Sequence, residues 1–156
     1  IVKNVYLFYI IDMNKWDILE YVLKDEQDKV PKKFWSDEEF VFHAVHWNGF
    51  NFQYASNNLK KSEKFVAKIV KYWSYTFQYA DLNLRKKEEF ILEMVKYNAE
   101  IINYIDDNLK INKEFILKVL SLYSNAYNFI DESFKHDNEI LNKLRNNKLE
   151  KIIEKF

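Results

Sequence analysis

Between Asp37 and His136 the chain repeats itself four times at a period of 25 residues, without insertion. The copies are DEEFVFHAVHWNGFNFQYASNNLKK, SEKFVAKIVKYWSYTFQYADLNLRK, KEEFILEMVKYNAEIINYIDDNLKI and NKEFILKVLSLYSNAYNFIDESFKH. A unit this short cannot shelter its own apolar side chains. It folds by leaning on the next copy, one supersecondary element per unit. The apolar columns carry the alignment: Phe40, Phe65, Phe90, Phe115 and then Ile140; Val45, Val70, Val95 and Leu120; Tyr54, Tyr79, Tyr104 and Phe129; Leu59, Leu84, Leu109 and Phe134.

Within a unit, Phe40, Val41, Ala44, Val45 and Trp47 follow helical spacing, and so wide an apolar face predicts a sandwiched helix. Phe52, Ala55 and Leu59 predict a second, shorter helix. Asp37, Ser62, Asn112 and Asp137 suit the N-cap of the first helix, where a side-chain oxygen accepts an orphan backbone N–H; Lys87 breaks that column. Gly49, Ser74, Ala99 and Ser124 hold only small residues, so a tight turn with close backbone approach is expected there. Asn58, Asn83, Asn108 and Ser133 precede the recurrent leucine and suggest left-handed C-terminal caps.

The fold class expected is all-α: a solenoid of short helical hairpins in one domain spanning residues 1–156. Residues 1–11 read as a truncated copy and 12–36 as a divergent one. Residues 37–61, 62–86, 87–111 and 112–136 are the clear copies, and 137–156 form a C-terminal capping helix. In the divergent copy Asp12 caps a helix over roughly Met13 to Lys24, with Ile18, Leu19, Val22 and Leu23 inward. Val30 and Phe34 then occupy the columns of Ala55 and Leu59. One Gly and one Pro argue against an all-β fold. No apolar run is long enough to span a membrane.

Chemistry is sparse. With no cysteine there is no disulfide, thiolate nucleophile or thiolate-bound metal. His43 and His46 lie three apart on a helix, but the equivalent positions hold Lys68, Glu93 and Lys118, and Lys71, Lys96 and Ser121. Those columns read as solvent-facing, so no metal site is expected. Asp81, Asp106 and Asp131 recur with Arg85, Lys110 and Lys135 four residues later, which predicts ion pairs within each repeat. No catalytic residue and no cofactor are indicated.

Two features suggest binding. Gln53, Gln78, Asn103 and Asn128 form an amide ladder beside aromatics, in form like helical arrays that read one base per repeat. Trp47, Phe50, Tyr72, Trp73, Tyr75, Tyr97 and Tyr123 crowd the ends of the first helices. Much of this group is expected in the core. Trp73 stands in a polar-leaning column and Tyr75 aligns with Glu100 and Asn125, which makes Phe50 and Tyr75 the best candidates for exposed rings. Net charge is zero, which disfavours duplex nucleic acid.

The unit EEFVFHAVHWNGFNFQYASNNLKKS resembles the tandem repeats of the domain-of-unknown-function 4116 family. The resemblance is close over 37–86, through Ala44-Val45, Asn48-Gly49, Tyr54-Ala55-Ser56 and Leu59-Lys60. It continues to 136, where Ile105 and Ile130 replace Ala55. It implies helical tandem repeats and no catalytic residue. The expected function is a non-enzymatic module that binds a protein or peptide through Phe50, Trp73, Tyr75 and the amide ladder, with the cytoplasm as the favoured location. The alternative is single-stranded nucleic-acid binding through the amide and Lys/Arg columns.

Overall fold

A computed structural model describes residues 14–153 of the chain, with side chains described as far as Asn147. The truncated copy expected at 1–11 and the cap expected at Asp12 lie outside the described residues.

Each clear copy begins with a long α-helix: α2 (Glu38–Trp47), α4 (Glu63–Val70), α6 (Glu88–Val95) and α8 (Lys113–Leu122). The caps fall where the sequence places them. Asp37, Ser62 and Asn112 accept hydrogen bonds from the backbone N–H of Phe40, Phe65 and Phe115 at 2.8, 3.3 and 3.0 Å. The recurrent phenylalanine thus sits in the third helical position, its backbone capped and its ring turned inward. Phe40, Phe65, Phe90, Phe115 and Ile140 are all buried. Burying each such ring stabilises the fold by about 1.5–3 kcal/mol. Lys87 makes no cap bond; it pairs instead with Glu63 of the preceding copy at 2.6 Å.

The second half of each copy is divided further than the expected single helix. A six-residue 3-10 turn comes first: Gly49–Tyr54, Ser74–Tyr79, Ala99–Tyr104 and Ser124–Phe129. In the first three copies a short α-helix follows: α3 (Asn57–Lys61), α5 (Leu82–Lys86) and α7 (Asp107–Lys110); the fourth has a 3-10 turn, Glu132–Phe134. The reason is in the spacing. Gly49, Phe52 and Ala55 are all buried, as are Ser74, Phe77 and Ala80, and Ala99, Ile102 and Ile105. Steps of three match a helix with three residues per turn, whose i and i+3 side chains eclipse.

The short helices also correct the reading of the asparagine column. Asn58, Asn83 and Asn108 lie inside these helices, and Asp25 is the only non-glycine residue with positive φ among those described. The caps are the aspartates. Asp81, Asp106 and Asp131 accept from the N–H of Asn83, Asn108 and Ser133 at 3.0, 3.1 and 2.9 Å. None of them pairs with the base four residues on, so the aspartate ladder is a ladder of caps.

Long helices pack on long helices and 3-10 turns on 3-10 turns, giving two layers with the core between them. One backbone rung also crosses each of three junctions. Ser56, Asp81 and Asp106 donate their N–H to the carbonyls of Trp35, Lys60 and Arg85 at 2.7, 3.0 and 2.9 Å.

The ends differ from the middle. Helix α1 (Lys15–Leu23) is capped by Asn14 and buries Ile18 and Val22, while Leu23 is exposed. It closes in a left-handed residue, Asp25, with the N–H of Glu26 bonded to Tyr21 O at 2.8 Å and that of Asp25 to Val22 O at 3.1 Å. Lys15, in the phenylalanine column, pairs with Asp37 and Glu39. Helix α9 (Asn138–Ile153) packs on α8, and the buried Asn147 amide donates to Leu120 O at 2.9 Å.

Candidate functional site

The long helices end in a column that the structure leaves in solvent, although Trp47, Tyr72 and Tyr97 belong to a group expected largely in the core. Trp47, Tyr72, Tyr97 and Leu122 are 60%, 70%, 47% and 56% exposed. They lie in or just beyond the last turn of α2, α4, α6 and α8. The column immediately before them, His46, Lys71, Lys96 and Ser121, is also exposed.

Side chains at this edge meet across two of the junctions. The His46 ring meets Trp73 edge-on at 5.3 Å, and Trp73 in turn lies 5.5 Å from Tyr72. Lys71 Nζ sits 4.1 Å above the Tyr97 ring in the next copy. A cation over an aromatic face is an attractive electrostatic contact. Among the described residues neither Lys71 nor Lys96 forms an ion pair with a carboxylate. The starts of the same helices are acidic, with Glu38, Glu39, Glu63, Glu88, Glu89 and Glu114 in first turns. The neutral molecule therefore carries a basic, ring-lined edge opposite an acidic one.

The residues proposed from sequence fall into three environments. Phe50 is 50% exposed, as expected. Tyr75 is not a free surface ring. It is half-buried, packs 5.2 Å from Phe50, and lies over Gly49, where a Cβ would meet its ring carbons at 2.6 and 2.8 Å. Trp73 is half-buried against the core. It replaces Asn48 and Asn98, whose side chains cap the 3-10 turns through the N–H of Phe50 and Glu100 at 3.0 and 2.9 Å. The small-residue column is explained by the same junction: Gly49 faces Tyr75, and Ser74 donates a hydrogen bond to Glu100.

Gln53, Gln78, Asn103 and Asn128 are all exposed. Gln78 and Asn103 meet in a polar cleft of about 270 Å³ with Arg85, Asp106 and Lys110. Three of the four cations beside the amides are engaged, whereas Arg85 forms no ion pair among the described residues and its Nε is buried without a partner. Lys60 Nζ donates to Gln53 O at 2.6 Å, and burial holds its pKa below the usual lysine value. Lys110 and Lys135 pair with Asp107 and Glu132 at 2.8 and 2.9 Å. His43 packs against Trp16 at 5.0 Å. A further cleft, of about 510 Å³, lies at the end of the row of 3-10 turns between Tyr127, Leu141 and Leu144. Tyr127 is only half-buried there, whereas Phe52, Phe77 and Ile102 are sealed by a following turn.

Such an arrangement defines a helical tandem-repeat protein whose distinguishing surface is one edge of the array. The family model of the Domain of unknown function (DUF4116) matches five times, at residues 28–60, 37–85, 62–110, 87–135 and 112–144, and the chain belongs to that family. No curated protein and no solved structure matches it. Among the described residues no helix is long and apolar enough to cross a membrane.

Proposed function

We propose that this chain is a non-enzymatic interaction module that holds a protein or peptide partner along the edge formed by Trp47, Tyr72, Tyr97 and Leu122. One observation supports this above the rest. Four successive copies leave a large apolar side chain in solvent at the same place, although burying each would stabilise the fold. Contiguous exposed rings favour partner surfaces, and aromatic anchors dominate binding energies. Phe50 adds a further ring at the start of the first 3-10 turn.

Single-stranded nucleic acid is the second reading, favoured by the exposed amide ladder. It is weakened by the engaged state of Lys60, Lys110 and Lys135. The two readings separate on affinity capture from host extract by wild type and by a Trp47→Ser/Tyr72→Ser/Tyr97→Ser variant, each with and without nuclease. Loss of a nuclease-resistant protein partner in the variant is expected. A partner retained by the variant overturns the proposed edge, and release by nuclease supports the second reading.

A further inference from the structure

We infer that the partner segment is an acidic peptide bound in extended polyproline II form across the repeats, with a carboxylate roughly every third residue. This rests on the edge being the binding surface and adds what it recognises.

Two observations carry it. The first is charge. Of the exposed cations in these two columns, Lys118 pairs with Glu88 at 3.3 Å, whereas Lys68, Lys71 and Lys96 form no ion pair among the described residues, and Glu93 is the one acid in the same columns. Lys71 is held over the Tyr97 ring rather than by an acid, so its ammonium is positioned yet lacks a carboxylate among the described residues. Complementary charge is what such an arrangement selects. The second is periodicity. Each copy offers one ring or leucine, with a cation beside it in two of the copies, so a matching ligand repeats at the helix-to-helix distance. Packed helices stand about 8–10 Å apart. Four copies therefore span about 24–30 Å, the length of roughly eight or nine residues of polyproline II chain at about 3.1 Å each, a form in which every third side chain returns to the same face. Carboxylates at every third residue would meet successive ammonium groups, and the apolar residues between them would lie on the rings.

The test uses the whole chain and its intrinsic tryptophan fluorescence, Trp47 being on the edge. Three nine-residue peptides are titrated: Glu-Leu-Ser repeated three times, and the same with Gln or Lys for Glu. A nine-nucleotide oligothymidylate serves as a polyanion without side chains. The glutamate peptide is expected to bind at least tenfold tighter than the other peptides and the oligonucleotide. Lys71→Glu/Lys96→Glu is expected to transfer the preference to the lysine peptide. Equal binding of the glutamine peptide would overturn the acidic specificity while leaving a peptide-binding edge. Equal binding of the oligonucleotide would show an unselective polyanion surface and overturn the inference. Failure of every probe also overturns it, while the capture experiment separately decides whether the edge binds a partner. A variant whose circular dichroism differs from wild type is replaced by Lys71→Gln/Lys96→Gln, for which loss of the glutamate preference is the expected result and its retention the overturning one.

Discussion

Gly49 lies beneath the ring of Tyr75 from the next copy, so close that a Cβ on it would overlap that ring. Gly49 does not have positive φ, so alanine suits its backbone and only the ring opposes it. Gly49→Ala is expected to destabilise the wild-type chain by about 1–3 kcal/mol, as overpacking does. In a Tyr75→Ala background the same change should be neutral or stabilising by up to about 1 kcal/mol. Urea denaturation of the four chains in this cycle measures the coupling. Additive effects would mean that the ring does not rest on Gly49.

The cap ladder has one defective rung. Ser56 occupies the aspartate position, but its hydroxyl is buried without a partner. Asp106→Ala should cost about 1 kcal/mol, the usual value of an N-cap. Ser56→Ala should cost less than half as much by the same denaturation measurement.

Leu84 is the most deeply covered member of its column, 6% exposed, whereas Leu59, Leu109 and Phe134 are partly buried. Leu84→Ala is expected to lose about 2–5 kcal/mol, and Leu59→Ala less. A neutral Leu84→Ala would place that side chain outside the core.

Charge at the helix starts gives a pH window. The Asp37 carboxyl is held below its ordinary value of 3.8, chiefly by the Phe40 N–H and then by Lys15, and that of Asp137 by Lys113 and then the Ile140 N–H. A depressed folded pKa contributes stability that is complete above the unfolded value and lost as pH falls through the folded one. Lys15, Lys87 and Lys113 are raised above 10.5, chiefly by hydrogen bonds to Glu39, Glu63 and Asp137. Their contribution is complete below 10.5 and lost as pH rises through the folded value. Melting temperature should therefore hold level on these accounts from about pH 4 to about pH 10, then fall on both sides. Asp37→Asn should make the acid limb shallower, and an unchanged limb would remove Asp37 from the account.

The long helices were legible because three signals agree at α2, α4 and α8: a capping side chain, a phenylalanine three residues later, and an apolar stripe; at α6 the last two agree without a cap from Lys87. The 3-10 turns were obscured because Phe52, Ala55 and Leu59 read as one helix. The run Gly49, Phe52, Ala55, three by three, was the signal available for the tighter turn. Tyr75 and Tyr72 exchanged roles for a different reason. Alignment with Glu100 and Asn125 suggested that Tyr75 was exposed, but it overlooked the room that Gly49 leaves for the ring. Tyr72 continues an apolar column, and nothing in periodicity records where the covering layer stops. The proposed edge was thus hidden in residues whose pattern matched the core.

All of this depends on copies that are sealed only by their neighbours. The far-ultraviolet circular dichroism of a peptide spanning residues 62–86 alone, compared with the whole chain, tests that directly. The isolated copy is expected to be unfolded in water at 25 °C with no cooperative melt, since a helix as short as α4 is marginal without packing. A helical peptide that melts cooperatively as a monomer would contradict it.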